Sequence, residues 1–251
     1  MIGMAKLIPR LINGIRCFSA SHKYDKFATF GSFDDTFPSR LAVQNIAERY
    51  FLKLRELDFH LPGFTEVHIQ FYPDEDMGPK HSTSDGVHLW NRQVYVGLDL
   101  SLWLDLNQVE QEVQMIELIG QACQLVSASD QSDKIDTAKL ELLNRGQSLS
   151  IKIFEKEVSS YSVRIVCQVP SILGPVTSQV IYEDRKTQQT FQAEFVDALY
   201  VPDLIHLCGI VIVKSGILTI SPRKNDFASS ISWKYGGPKR FTVSKMERIE
   251  L

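Results

Sequence analysis

The hydrophobic period of this chain changes at Gly146, and that change constrains the fold more than any other feature. Before it, stretches of three- to four-residue period alternate with stretches of period two; after it, only period two remains. From Ser39 to Leu57 the residues Val43, Ile46, Ala47, Tyr50, Phe51, Leu54 and Leu57 recur at helical steps, and Leu61-Pro62-Gly63 stops the run. A second helix is expected from Asn107 to Val126, with a stripe of Val109, Val113, Ile116, Ile119, Cys123 and Val126. Asn107 and Glu110 have the spacing of a capping box, in which each side chain satisfies a backbone N–H at the other's position. Ile135 to Asn144 reads as a shorter helix ended by Gly146.

Between the helices, Val67, Ile69 and Phe71 alternate with Glu66, His68 and Gln70, and Val94, Val96, Leu98 and Leu100 repeat the pattern. The polar stretch from Pro73 to Gly86 is a loop or a long hairpin connection. After Gly146, strands are expected at Leu149–Ile153, Tyr161–Val169, Gln179–Tyr182, Thr190–Phe195, Gly209–Val213, Ile217–Ile220, Ser230–Tyr235 and Arg240–Lys245, with Gly236-Gly237 turning the last hairpin. The expected fold is α+β. Residues 1–146 form a strand–helix half with two long amphipathic helices, and residues 147–251 an antiparallel β-rich half. Gln147-Ser148 is too short for free movement, so the halves are expected to pack as one compact unit; a mixed sheet shared by both is the alternative.

Composition narrows the function. Hydrophobic residues make up 44% of the 251, enough to bury a sizeable core, and the net charge of −3 argues against a general nucleic-acid binder. The charge is uneven: residues 1–150 carry 14 Lys and Arg against 20 Asp and Glu, a net of −6, and the remainder 13 against 10, a net of +3. None of Cys17, Cys123, Cys167 and Cys208 lies within four residues of another, so no zinc ribbon or redox pair is spelled out. Their apolar neighbours indicate buried thiols and a reducing compartment, here the cytoplasm. No run reaches the ~18 apolar residues a membrane span needs. Residues 1–24 hold Lys6, Arg10, Arg16 and Lys23 without an acid, and Arg16-Cys17-Phe18-Ser19 has the look of a transit-peptide cleavage site, but Pro9 interrupts the helix such a peptide requires.

The motifs of the commonest enzyme classes are absent: no Walker loop, dinucleotide fingerprint, nucleophile elbow, His-Glu-x-x-His or calcium loop. The densest polar cluster is Asp74-Glu75-Asp76, then Lys80-His81, Asp85 and His88. Carboxylates and imidazoles in one loop suit a divalent metal or acid–base chemistry, but Gly78, Pro79 and Gly86 leave the ligands without a rigid spacing. A contact surface for a basic protein fits better, with Asp74, Glu75, Asp76 and Asp85 steering the partner and Trp90 anchoring it. No catalytic residue, cofactor or metal is expected; the alternative is a motif-less enzyme built on His81, Asp85 and His88, with or without a metal. His68 reads as a partly exposed sheet residue. His206 and Cys208, two apart on an expected strand in Asp203-Leu-Ile-His-Leu-Cys, share a face without forming a nucleophile pair. From Lys214 to Lys245, Lys214, Arg223, Lys224, Lys234, Lys239, Arg240 and Lys245 face Asp226 alone, with Trp233, Tyr235 and Phe241 interleaved. That composition suits single-stranded nucleic acid, but a hairpin with its aromatics in the core and lysines along its edge is the expectation.

From Arg92 to Leu142 the order is distinctive. The strand Gln93-Val-Tyr-Val-Gly-Leu-Asp-Leu leads through Ser101-Leu-Trp-Leu-Asp-Leu into a helix rich in Glu and Gln, and Lys134-Ile-Asp-Thr-Ala-Lys-Leu-Glu follows as a short final helix. This resembles the strand–helix–short-helix layout of several families of bacterial immunity proteins, which protect a cell from polymorphic or contact-delivered toxins. The resemblance covers about a fifth of the chain and leaves out the β-rich half. It implies a cytosolic, non-enzymatic inhibitor that plugs or masks a cognate toxin, and the acidic first half suits a toxin with a basic active-site groove.

Overall fold

The structure, a computed structural model, describes residues 8–19, 40–83, 90–171 and 174–250. The chain divides into two compact units, one of residues 1–147 with 171–173 and one of residues 148–170 with 174–251. Among the described residues, no sheet draws strands from both.

The first unit runs β1 (Pro9–Leu11), β2 (Gly14–Ser19), α1 (Arg40–Glu56), β3 (His60–Pro62), β4 (Glu66–Pro73), β5 (Gly78–Thr83), β6 (Asn91–Leu98), α2 (Leu100–Asp105), α3 (Gln108–Val126) and α4 (Ser132–Arg145). Its sheet has the order β2-β4-β6-β5. The first three strands are parallel and β5 runs antiparallel along the edge of β6. A parallel pair needs a crossover, and α1 supplies it between β2 and β4. One face of the sheet presents Ile15, Cys17, Val67, Ile69, Phe71, Val94 and Val96, all buried, where α1 and α3 pack on the strands. Burial on that face is why the strands alternate so clearly in sequence.

The helices lock together through few but specific ties. The Tyr50 hydroxyl on α1 donates to the Ile135 carbonyl at 3.0 Å, fixing α4. It passes α3 at Gly120, where a Cβ would lie 2.8 Å from that hydroxyl. The fully buried Arg49 guanidinium donates to Glu112 at 2.7 Å. The capping box of α3 forms as read: Asn107 Oδ1 accepts from Val109 and Glu110 N–H, and Glu110 Oε2 accepts from Asn107 N–H at 2.9 Å. The stripe is only half as expected. Ile116, Ile119, Cys123 and Val126 are buried together with Met115, Leu118 and Ala122, but Val109 and Val113 face solvent. The polar stretch after Pro73 contains a strand, β5; Pro79 is tolerated there because an edge strand pairs on one side only. Of the basic N-terminal segment, residues 8–19 are described; they contain β1 and β2, and Arg16-Cys17-Phe18-Ser19 lies within β2.

The second unit comprises β7 (Ile151–Glu157), β8 (Tyr161–Gln168), β9 (Thr177–Asp184), β10 (Gln189–Glu194), α5 (Val201–Leu207), β11 (Ile210–Lys214), β12 (Ile217–Ser221), α6 (Asp226–Tyr235), β13 (Lys239–Thr242) and β14 (Glu247–Ile249). Five strands form an antiparallel sheet, β14-β10-β9-β8-β7, and three more form β11-β12-β13. Two expectations fail here. Ser230–Tyr235 is the second half of α6, and Gly236, at φ +87°, ends that helix instead of turning a hairpin. The segment around His206 is α5, with Pro202 in its first turn, a position where the missing N–H is harmless. The α+β expectation holds: strands and helices mix in the first unit, and antiparallel sheet dominates the second. All four cysteines are free and buried, and burial pushes the Cys123 and Cys208 thiols up to about 12. Among the described residues no helix is long and apolar enough to cross a membrane.

Candidate partner-binding surface

At the C-terminal ends of β4 and β6 the chain builds a small exposed corner from two connections. The first is the acidic turn after β4. Asp74 N–H donates to the Leu98 carbonyl at 3.1 Å, which joins the turn to the end of β6. Asp74 Oδ1 then accepts from Asp76 N–H at 3.0 Å, closing a local turn. Gly97 makes this possible. A Cβ there would sit 2.5 Å from the Asp76 carbonyl oxygen and 2.9 Å from Asp74 Cβ, so only glycine lets the turn lie across the strand. Glu75 and Asp76 are exposed, and Lys80 approaches Asp76 at 3.9 Å.

The second connection follows β6 directly. Asp99 caps α2, accepting from Ser101 N–H at 2.9 Å, the Ser101 hydroxyl at 2.6 Å and Leu102 N–H at 3.2 Å. The serine hydroxyl and these amides hold the Asp99 carboxyl below its ordinary range, so it stays ionised at neutral pH. A helix of six residues buries one side chain well, and Trp103 takes that place. Leu102 and Leu104 are left outside, Leu104 61% exposed. The Gln111 amide donates to the Trp103 carbonyl at 3.1 Å, bringing the first turns of α3 beside α2. There Val109, 71% exposed, and Val113 lie one helical turn apart on the outward face. This part of the chain thus shows four aliphatic side chains to water, Leu102, Leu104, Val109 and Val113, and the carboxylates Asp105 and Glu110 are exposed in the same stretch, as Glu75 and Asp76 are in the turn joined to the end of β6. The sequence reading missed these aliphatic residues. The available signal was Ser101-Leu-Trp-Leu-Asp-Leu, in which a short helix has more apolar residues than one face can bury.

The expected contact residues do not all meet. Asp74, Glu75 and Asp76 belong to this corner, and Asp85 lies outside the described residues. Trp90 precedes β6 and stands at its other end, about 25 Å from Leu98 along an eight-residue strand. It is 36% exposed, and its carbonyl accepts from Thr65 and Glu66 N–H at 2.8 and 3.1 Å. Its ring meets His68 edge-on at 5.7 Å between centroids. His68 belongs to an ion cluster on the sheet face away from the helices, where Glu66 Oε2 is 3.1 Å from both His68 Nε2 and Arg16 Nε. Burial would raise the Glu66 carboxyl, but the His68 hydrogen bond and the Arg16 charge outweigh it and hold the carboxyl below its ordinary value.

No known protein family matches the chain, and no curated protein or solved structure matches it.

The residues of the enzymatic alternative are not seen converging. His81 on β5 stacks on Tyr95 at 4.6 Å, while Asp85 and His88 lie outside the described residues. Among the described residues no group of three His, Cys, Asp or Glu side chains has the arrangement of a metal site. His206 lies on α5 with its ring against Phe227, and Cys208 follows the end of that helix, so the strand on which the two were expected to share a face is absent. Two concavities among the described residues, of about 150 and 30 Å³, are smaller than the ~300 Å³ at which small-molecule pockets begin.

Proposed function

We propose that the chain is a binding protein that neutralises a basic protein partner, and that it works in the bacterial cytoplasm as an immunity-type inhibitor of a cognate toxin. The observation that carries this reading is the α2–α3 corner, where exposed Leu102, Leu104, Val109 and Val113 are set among carboxylates. Aliphatic side chains held on the outside of rigid, capped helices give an interface its desolvated centre. The surrounding carboxylates add steering toward a positive groove and raise the association rate more than the affinity. The first unit's net charge of −6 extends the same field over a larger surface. The layout of β6, α2, α3 and α4 is the part of the chain that resembles immunity proteins, and the aliphatic residues of the corner sit within it. Trp90 and the His68 cluster serve the packing of the sheet in this reading, not the partner.

Co-expression tests the proposal. A large toxin gene is expected directly upstream of this one, and its toxic domain, produced with the chain, should no longer arrest growth. Replacing Leu104 and Val109 together by Asp should abolish protection while leaving the folded protein's melting temperature unchanged. Unprotected cells with the natural chain, or full protection by the double variant, would overturn the reading.

A further inference from the structure

The second unit carries a separate surface of opposite chemistry, independent of the toxin-inhibitor reading. We infer that the outward face of α6 binds single-stranded nucleic acid, with Trp233 as the stacking platform and cations at both ends of the helix. Ala228 and Ile231 turn inward, and Trp233 is left 88% exposed on the opposite side. No described residue of its own unit buries this ring, the largest apolar side chain a surface can show. Lys224 and Arg223 stand exposed just before the helix, and Lys234 and Lys239 lie at its end. The ten-residue helix spaces these cations about 15 Å apart with the indole between them. A second ring sits near its C-terminal end. Leu199 N–H donates to the Tyr235 hydroxyl at 3.0 Å, which sets Tyr200, 58% exposed, beside that end. The Tyr235 hydroxyl in turn donates to the buried Asp203 at 2.7 Å, and Lys234 stands 3.5 Å from the same carboxylate. That carboxylate is buried and engaged, while Lys234 and Lys239 remain at the end of the helix.

The partner's class follows from what surrounds the indole. Ser229 and Ser230 share its exposed side of α6, and the first also donates its hydroxyl to the Asn225 carbonyl. A face of serines and lysines around one tryptophan is too polar to sink into a bilayer, which favours continuous apolar faces. Hydroxyls and lysines suit phosphate, and an open indole suits an unstacked base; a duplex keeps its bases stacked and unavailable. The overall negative charge does not oppose this, because the local field near α6 is set by its own cations within about 8–10 Å.

The test uses the full chain and end-labelled twelve-nucleotide oligomers, oligo-dT and oligo-U, followed by fluorescence anisotropy. Binding is expected at 50 mM salt, with the two oligomers separating DNA from RNA preference. Trp233→Ala should weaken it about 5- to 100-fold with no change in melting temperature. Arg223→Gln with Lys224→Gln should flatten the log–log salt slope by about 1.4. No binding to either oligomer at 50 mM salt overturns the inference. So does unchanged affinity in Trp233→Ala, or a loss in that variant of co-sedimentation with phosphatidylserine vesicles while neither oligomer binds.

Discussion

Gly97 decides where the acidic turn lies. With any side chain at that position, the Asp76 carbonyl oxygen and Asp74 Cβ must move away from β6. Gly97→Ala is therefore expected to destabilise the protein by about 1–3 kcal/mol in a denaturant titration. The same change should slow association with a basic partner, because the carboxylates leave their place beside α2. Glu48 carries a second consequence. Burial on α1 raises its carboxyl from the ordinary 4.5 to about 7, with the Arg16 charge opposing the shift. A carboxyl whose folded-state value is raised contributes stability that is complete below pH 4.5 and is lost as pH rises through about 7. Glu48→Gln should thus leave stability unchanged at pH 4 and increase it at pH 8, by on the order of 2 kcal/mol. A variant that tracks the natural protein across this range in thermal melts would contradict that origin of the shift. Arg49 is the converse case. It is wholly buried, and among the described residues its Nε and Nη1 have no hydrogen-bond partner, so the bond to Glu112 is what offsets its burial. Glu112→Ala is expected to cost about 3–5 kcal/mol by leaving the guanidinium uncompensated, measurable as a lower denaturation midpoint.

At the scale of elements, the long helices with a repeating apolar stripe were legible in the sequence and the short ones were not. The start of α3 could be read from Asn107 and Glu110 because the capping box is a local, reciprocal hydrogen-bond pattern. Asn107→Ala should lower stability by about 1 kcal/mol in the same titration, since two N–H groups of the first turn lose their acceptor. In α6 the alternation Ile231, Trp233, Tyr235 imitates a strand. The residue that reveals the helix is Asn225, whose side chain accepts from Ala228 N–H at 2.7 Å. Gly236-Gly237 reads equally as a hairpin turn or a helix stop, and tertiary contacts choose between them. Tyr235 reaches back to Asp203 across α5, a partner no local window contains. The strand β5 was obscured for a different reason: an edge strand pairs on one side, so its sequence can be polar and hold a proline.

For the whole molecule, the division of charge was visible in sequence, and so was the acidic turn. The aliphatic centre of the corner was not, because Val109 and Val113 fit a buried stripe as well as an exposed one. Only the packing of Met115, Leu118 and Ala122 against the core turns them outward. Trp90 reads in sequence as the anchor beside the acidic loop; the register places it at the opposite end of β6 from Asp74, Glu75 and Asp76. In the proposed function steering and anchoring are joined at one corner, and the two are expected to separate kinetically. The most direct measurement is calorimetric titration of the chain into the isolated domain of the toxin that the proposed function expects beside its gene, for the natural protein and for Leu104→Asp with Val109→Asp. The natural chain should bind, and the double variant, equally stable in a thermal melt, should show no heat of binding. Undiminished affinity in the folded double variant would contradict the assignment of this corner as the binding surface.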